Sequence, residues 1–474
     1  MVTAANPGGM FGRLCAMLAG CSFTCAAMIC CRFSPLSDHR DRRNMPNAGR
    51  VRYGCYIRNP QRFPQSGALS CPNRMGHNWT NDNRILSMSP RPITSPEDQS
   101  ATFIELFFDL VFVYSVTQVV GVLHAGFDLV HVGRAALVFW LVWWAWTQLT
   151  WALNAADTTH PAVELGVLLA TAVAFFMAVA VPDAFGNRAV AFAIPYVLVR
   201  IIGLTLYAWV AAGDPAQRTA VRTFSLVSLS GLVAVTIGGF TGGAVQYWLW
   251  GLAIVLDITA AGVGGNMEGW NIHPEHFGER HGLFAIIALG ESLIVAAGGL
   301  AGAEWNWNLL AVVVLSVAVT CALWWSYFSR SKPALDHALE SRSGAAQSCM
   351  ARDAFSIVHF FVVCGIIGFA AALEEFILHP DETLGVGPRT ALGVSIVLFM
   401  GGMVVALWRA TGRVRTTRSV VSLATMLAVV VPGGLSPAAA LLIVLIGVVM
   451  VVLAEERVQT SSPFDAQRVT LDEA

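Results

Sequence analysis

Apolar stretches of about 20 residues follow one another along the chain from residue 101 onward, and short polar segments separate them. An α-helix needs this length to cross the hydrocarbon layer of a bilayer. The stretches do not alternate apolar with polar residues, which excludes a membrane β-barrel. The pattern therefore predicts an all-α, polytopic bundle of about 12 transmembrane helices. We expect these helices near residues 103–124, 135–153, 162–182, 189–211, 222–240, 245–263, 281–300, 308–329, 354–374, 389–409, 418–434 and 437–454.

The composition points to the same class of protein. Of the 474 residues, 55% are hydrophobic and 12% are charged, whereas soluble domains carry about 25% charged residues. The net charge of −1 says little, because charges in a membrane protein matter by the side of the bilayer on which they lie. We expect the lipid bilayer as the main partner, no nucleic acid, an ion or small molecule as a candidate substrate, and a homo-oligomer as an open alternative.

The distribution of arginine and lysine predicts the orientation of the bundle. Cytoplasmic loops of membrane proteins keep an excess of positive charge. With the N-terminus in the cytoplasm, thirteen of these side chains fall in the loops and tail on the inner side, and only Arg134, Arg188 and Arg389 fall in outer loops. The sequence therefore favours a multi-pass protein of the bacterial inner membrane with both termini cytoplasmic.

Similar features recur in the two halves of the chain. Glu105 opens the first helix and Glu279 precedes the seventh, while a tryptophan pair in the second helix matches one in the eighth. Four such matches have separations of 174, 181, 191 and 194 residues, which rise along the chain as small loop insertions would require. A fifth match, between Trp209 and Trp408, has a separation of 199 and breaks this trend. We predict two parallel six-helix repeats, at 101–272 and 273–455.

The first hundred residues differ from the rest of the chain. They hold twelve arginines, no lysine and seven of the ten cysteines, without sustained periodicity. We expect residues 1–100 to form a largely disordered extension, with translation from near Met88 as an alternative. The early cysteine spacings match no common zinc pattern. Residues 456–474 are expected to form a polar cytoplasmic tail.

Acidic residues lie within two of the predicted helices. Glu105 and Asp109 are four residues apart in the first helix, so they share one face. Glu291 lies deep in the seventh helix, eleven residues after Arg280 and about 16 Å from it, on nearly the same face. Ionised acids near hydrocarbon are costly unless they face a partner, a cation or water. The candidate pathway for an ion or substrate consists of Glu105, Asp109, Arg280 and Glu291.

Further polar residues near these helices form a second group of candidates. They are Asn154, Asp157, Arg200, Asp257, His276, Glu279 and His281. The alternative interpretation of the buried charges is an internal salt-bridge network that locks helices together. Arg200 and Asp257 in particular are expected to neutralise each other. The histidines and glutamates at 273–281 could assemble a metal site, but a hydrated helix start explains the same spacing, so we predict no metal, cofactor or catalytic residue.

Two segments carry a resemblance to a known family. They read Glu-Leu-Phe-Phe-Asp-Leu-Val-Phe-Val at 105–113 and His-Phe-Gly-Glu-Arg-His-Gly-Leu-Phe-Ala-Ile-Ile-Ala-Leu-Gly-Glu-Ser at 276–292. Both resemble hallmarks of the low temperature requirement A (LtrA) family, and the resemblance covers roughly residues 101–455. It implies an integral membrane protein with a link to growth in the cold, and no established activity comes with it.

A transport protein is the favoured function: a transporter or channel for an ion or small solute that uses the intramembrane carboxylates. In that mechanism Glu105 or Asp109 binds a cation or proton, and Glu291 acts as the counterpart in the other repeat. Arg280 tunes their ionisation. One alternative is a membrane-embedded metal- or cofactor-dependent redox enzyme, although no nucleophile motif or phosphate loop supports an enzyme. The other is a stress-related membrane protein that does not transport.

Overall fold

A computed structural model describes residues 93–96, 99–302 and 304–460. Within these residues every named secondary-structure element is a helix. An isolated β-bridge joins Thr94 to Ala156. The predicted all-α, multi-pass bundle is therefore confirmed. The N-terminal extension up to residue 92 and the tail from residue 461 lie outside the described residues, so the predictions for them stay predictions.

Twelve helices make up the described part of the chain when a helix that continues through a π-helical turn is counted as one. They are α1 Phe103–His124, α2 Leu129–Ala155, α3 Pro161–Ala180, α4 Ala189–Val210, α5 Pro215–Thr241, α6 Gly243–Gly265, α7 Pro274–Gly302, α8 Trp307–Glu340, α9 Gly344–Leu378, α10 Val386–Thr411, α11 Thr416–Val430 and α12 Pro437–Thr460. The π-helical turns are Tyr327–Ser331 in α8 and Ala351–Val358 in α9.

Eleven of these helices are long and apolar enough to cross a membrane, and α11 is the exception. Its 15 residues extend about 22 Å, which is less than the ~30 Å of the hydrocarbon core. Near its start, Arg418 bonds to Ser331 of α8 at 3.1 Å. After its end, the carbonyl of Leu435 accepts the N–H of Leu384, in the loop between α9 and α10, at 2.9 Å. The chain from α11 to α12 thus contacts both ends of the bundle.

Several helices begin before their apolar run does, because polar caps fix their first turns. The carboxylate of Asp214 accepts the backbone N–H groups of Ala216 at 2.8 Å and Gln217 at 3.4 Å. For this reason α5 begins at Pro215 rather than near the predicted residue 222. Asp128 caps α2 in the same way. The predicted boundaries are corrected here, since hydrophobicity marks only the part of a helix that is apolar.

The helices alternate in direction between two faces of the bundle. We call the face at which α1 begins the near face and the opposite one the far face. At the near face, the Asn154 side chain at the end of α2 accepts the N–H of His273, just before α7, at 2.9 Å. At the far face, the Asn306 side chain before α8 donates to Asp381, in the loop after α9, at 3.0 Å. Odd-numbered helices therefore run from the near face to the far face, and even-numbered helices return.

Helices α1 and α7 lie side by side and run in the same direction. Their polar contacts join Asp109 to Arg280, Glu105 to Arg280 and Thr117 to Glu291, with separations of 171, 175 and 174 residues. A nearly constant separation over this part of α1 requires two parallel helices in a fixed register. Helix α9 packs against both. The four candidate pathway residues therefore lie along the contact between α1 and α7.

Helix α9 is the most buried of the candidate spans and occupies the centre of the bundle. Its glycines allow a close approach to α10. A Cβ atom at Gly365 would lie 2.6 Å from the backbone nitrogen of Phe399 and 2.6 Å from the carbonyl oxygen of Ser395. Small residues at such crossings are typical of helix packing in membranes. This packing fixes α9, and with it the side chains that α9 presents to α1 and α7.

Candidate functional site

Charged side chains from α1 and α7 form a buried cluster. The guanidinium of Arg280 donates from Nη1 to Oε1 of Glu105 at 2.6 Å. It also donates to Asp109, from Nη2 to Oδ1 at 2.5 Å and from Nε to Oδ2 at 3.2 Å. All three side chains are fully buried. We call these residues, together with His276 and Trp146, the ion-pair cluster.

Glu105 also closes the start of α1. Its Oε2 accepts the backbone N–H of Thr102 at 3.0 Å and the Thr102 hydroxyl at 2.9 Å. This is the capping-box arrangement, in which a glutamate at the third helical position bonds back to the N-cap residue. The sequence signal for it is a threonine three residues before a glutamate at the start of an apolar run, and the prediction for Glu105 did not include it. Glu105 therefore has a structural role besides its charge.

His276 and Trp146 supply the remaining donors of the ion-pair cluster. The indole N–H of Trp146 donates to Oδ1 of Asp109 at 2.7 Å, and Nε2 of His276 lies 3.0 Å from Oε1 of Glu105. The amide nitrogen of Asn154 lies 3.1 Å from Nδ1 of His276. Because an amide nitrogen can only donate, Nδ1 accepts and Nε2 carries the hydrogen that Glu105 receives. The secondary candidates His276 and Asn154 thus belong with the three charged residues.

The ion-pair cluster is closed to ligands. Each carboxylate oxygen of Glu105 and Asp109 accepts at least one hydrogen bond from the protein, and none of the charged side chains is exposed. Removal of one partner would leave a buried charge uncompensated, which is costly. The ion-pair cluster therefore holds α1, α2 and α7 together through buried hydrogen bonds and ion pairs.

Glu291 lies apart from the ion-pair cluster, beyond an apolar layer. Its Oε2 accepts the hydroxyl of Thr117 at 2.6 Å. Asp109 and Thr117 are eight residues apart on α1, a rise of about 12 Å, and Phe112 and Val116 between them are fully buried. The structure therefore brings three of the four pathway candidates together and separates the fourth.

A cavity lies beside Glu291 in the far-face half of the bundle, and we call it the far cavity. It measures about 1140 Å³ including its mouth and lies between α1, α7, α9 and the turn after α3. Two carboxylates line it, Glu291 and Glu374, together with Thr117 and Gln118. The side chain of Glu374 is 40% exposed and lies 4.0 Å from His124 at the end of α1. The far cavity therefore gives an acid within the membrane access to the far face.

A second buried ion pair lies within the first half of the chain. Nη2 of Arg200 donates to Oδ1 of Asp257 at 3.0 Å and so joins α4 to α6. The same guanidinium donates to Gln148, Tyr196 and Ser228. The expected neutralisation of Arg200 by Asp257 is confirmed, and side chains from four helices surround the arginine.

The other secondary candidates lie in the near-face half without a common site. Glu279 accepts the backbone N–H of Ala101 at 2.9 Å, and Asp157 accepts a backbone N–H two residues further along its own loop at 3.0 Å. His281 is buried, and its Nδ1 lies 2.9 Å from the carbonyl oxygen of Phe277. Among the residues that the structure describes, no three His, Cys, Asp or Glu side chains gather as a metal site would require.

Sequence reasoning does not single out three residues that the structure places at these sites. Thr117 bonds to Glu291, Trp146 bonds to Asp109, and Glu374 lines the far cavity. A threonine or tryptophan within an apolar helix carries no signal of its own. An acid at the end of an apolar run does carry one, so Glu374 could have been recognised as a candidate.

One family of known proteins matches most of the chain. The family described as "Bacterial low temperature requirement A protein (LtrA)" matches residues 100–454. An uncharacterized protein of Rhizobium meliloti (strain 1021) is 31% identical over 304 residues, which is 60% of this chain and 72% of that protein. No solved structure shows a significant match.

Proposed function

The chain belongs to the low temperature requirement A (LtrA) family of bacterial proteins, and from that premise and the geometry of its buried acids we propose that it transports a cation or a proton across the membrane. Glu291 is the residue that binds the ion, and the far cavity is its entrance. The ion-pair cluster holds the opposite, closed half together. The observation that carries the proposal is an acid deep within a span that lines a cavity beside one face.

Glu291 differs from the other buried acids of the spans in its partners. Glu105 and Asp109 each bond to a guanidinium, and so does Asp257. Glu291 is 2% exposed and accepts the hydroxyl of Thr117, which is a neutral donor. An ionised carboxylate at this depth is costly without a cation. The site therefore favours the uptake of a proton or a cation from the far cavity.

The apolar layer between the two sites favours a transporter over an open channel. Phe112 and Val116 of α1 are fully buried, and so are Phe284 and Ala288 of α7. These side chains lie between Glu291 and the ion-pair cluster along both helices. A binding site that is reached from one face and sealed from the other is typical of one state of an alternating-access cycle.

Ion flux into liposomes tests the proposal. With the purified protein reconstituted, proton, sodium and potassium flux should exceed that of protein-free liposomes for at least one ion. Glu291→Gln, which removes the charge and keeps the shape, should reduce this flux to the protein-free level. Glu304→Gln is the matched control, because Glu304 is an exposed acid at the far face, and it should leave the flux unchanged.

Two results would contradict the proposal. Flux by Glu291→Gln equal to that of the wild type would remove the residue from the pathway. Absence of flux for all three ions would favour the non-transporting alternative. We assign no catalytic residue. His276 is not available as one, because Glu105 and Asn154 both hydrogen-bond to its ring within the ion-pair cluster.

We also infer that the bundle is a duplication of six helices in parallel orientation. Support comes from the packing: α1 packs against α2 and α3 as α7 packs against α8 and α9, and α4 packs between α3 and α5 as α10 packs between α9 and α11. The contacts between α1 and α7 join residues about 174 positions apart along both helices, which agrees with a duplication. The positive charge at the near face supports a cytoplasmic position for that face in the bacterial inner membrane.

A further inference from the structure

A smaller cavity lies at the far face, between the end of α1, the start of α2 and the turn that joins α3 to α4. We call it the loop pocket. It adjoins the far cavity, with which it shares Pro182 as a lining residue, and Glu291 lies outside it. The space in it that the centre of a water molecule can occupy is about 250 Å³. A cavity of about 150 Å³ already takes benzene, so the loop pocket has room for a molecule with as many non-hydrogen atoms as benzene.

Arg134 of α2 lines the loop pocket, and aromatic side chains hold it in place. Its Nε donates to the hydroxyl of Tyr247 at 2.7 Å. Its Cζ lies 5.9 Å from the ring centroid of Phe185, on which the ring of Tyr247 stacks. The part of the chain that the structure describes supplies no carboxylate to this guanidinium and no acceptor to Nη1 or Nη2. The edge formed by Nη1 and Nη2 is therefore free to bind a carboxylate through two parallel hydrogen bonds.

Asp183, in the turn after α3, lines the same pocket. Its backbone carbonyl accepts the N–H groups of Gly186 and Arg188, which fixes the turn. A Cβ atom at residue 186 would collide with Oδ1 of Asp183, so the glycine there leaves room for the carboxylate. Among the described residues, none donates a hydrogen bond to this carboxylate or pairs with it as a cation. The loop pocket thus holds two opposite charges that do not pair with each other.

His131 is the third titratable side chain of the loop pocket, and it is already engaged. Its Nδ1 lies 2.9 Å from Oδ2 of Asp128, the residue that caps α2. Asp128 itself does not line the pocket. The charges that the pocket offers to a ligand are therefore those of Arg134 and Asp183.

We propose that the loop pocket binds a small zwitterion of the α-amino acid class. Its carboxylate lies on the free edge of Arg134, and its ammonium group lies on Asp183. A simple anion would be repelled by Asp183, and a simple cation would be repelled by Arg134, whereas a zwitterion is attracted by both. The size of the pocket restricts the ligand to a small side chain. The proposal goes beyond ion transport and does not depend on the binding of an ion at Glu291.

Three molecules of equal size test the charge of the ligand. They are L-alanine, isobutyrate, in which a methyl group replaces the ammonium, and L-alaninamide, in which an amide replaces the carboxylate. Calorimetric titration at pH 7 into the purified protein in lipid nanodiscs measures their binding, with empty nanodiscs as the blank. L-alanine should bind about tenfold or more tightly than either of the others, because each of them loses one hydrogen-bonded charge pair.

Two variants assign each charge of the ligand to one side chain. Asp183→Asn should weaken the binding of L-alanine about tenfold and leave that of isobutyrate unchanged. Arg134→Gln should weaken the binding of L-alanine by a similar factor and leave that of L-alaninamide unchanged. The matched control is Arg188→Gln, because Arg188 is exposed in the same turn and donates to the backbone carbonyl of Val179. The control should bind L-alanine as the wild type does, and thermal unfolding should show each variant folded.

Four results would overturn the proposal. They are no binding of L-alanine to the wild type, isobutyrate binding as tightly as L-alanine, L-alaninamide binding as tightly as L-alanine, and Arg188→Gln weakening L-alanine as much as Asp183→Asn does. The second would indicate a site for anions and the third a site for cations. The first three need only the wild type, so they hold even if a variant fails to fold. Since Glu291 lies outside the loop pocket, ion flux and L-alanine binding can fail independently.

Discussion

The ion-pair cluster makes a quantitative prediction for the variant Arg280→Met. Methionine keeps an unbranched side chain and removes the guanidinium that makes three hydrogen bonds of 2.5–3.2 Å. The carboxylates of Glu105 and Asp109 then stay buried without a cation, although the N–H groups of Trp146 and His276 still reach them. We expect the near-face ends of α1 and α7 to lose the contact that holds them to each other.

The expected loss is about 3–5 kcal/mol in the free energy of unfolding, because breaking a buried ion pair leaves an uncompensated charge. The side chains are fully buried, so solvent does not screen them. The triple variant Glu105→Gln, Asp109→Asn, Arg280→Met removes both signs of charge. It should recover more than half of the loss, since neutral replacements of buried ion pairs are often close to neutral in stability.

Unfolding in dodecyl maltoside micelles with a rising fraction of dodecyl sulfate, followed by tryptophan fluorescence, measures these differences. Arg342→Met is the matched control, because Arg342 also lies at the near face but bonds to the backbone carbonyls of Ala338 and Ala410. Two results would refute the reasoning. One is a loss for Arg280→Met below about 1 kcal/mol, the upper value for an exposed salt bridge. The other is a triple variant that is no more stable than Arg280→Met.

Two further predictions concern a helix cap and the topology. Hydrogen bonds from the backbone of Ala216 and the side chain of Asn271 lower the pKa of Asp214 in the folded protein. The ionised Asp214 therefore contributes its full stabilisation above pH about 4, the pKa of an unperturbed aspartate. This stabilisation is lost as the pH falls through the lower pKa of the folded state. Asp214→Ala should therefore unfold more easily than the wild type at neutral pH, and the difference should narrow in acid. For the topology, a cytoplasm-specific reporter fused after Glu456 should be active, and activity of a periplasmic reporter at that point would contradict the orientation.

The helices could be predicted because apolar length alone marks a span, and each predicted stretch overlaps one observed helix. Their ends could not be predicted from apolar length. The polar first turns of α2 and α5 depend on the caps Asp128 and Asp214, and α8 and α9 continue through π-helical turns into polar sequence. These features follow from hydrogen bonds rather than from hydrophobicity.

The grouping of the acids could be predicted only in part. Glu105 and Asp109 share a face because of helix periodicity, and the structure keeps them together on one guanidinium. That Arg280 lies opposite them depends on the register between α1 and α7, which no local pattern encodes. Arg280 and Glu291 share a face of α7, yet one reaches a closed contact and the other a cavity.

The pairing of buried charges explains why Glu291 is the better candidate for function. Four acids are buried within the described spans, and Glu291 is the one without an arginine partner. Even α11 and α12, at the end of the chain, are joined by Arg418 and Glu455 at 2.7 Å. If Glu291 served only to hold helices together, a guanidinium beside it would stabilise the fold more than the hydroxyl of Thr117 does. A buried acid with a neutral partner and a cavity at its side weakens the fold, and the ion binding that we propose for Glu291 would offset that cost.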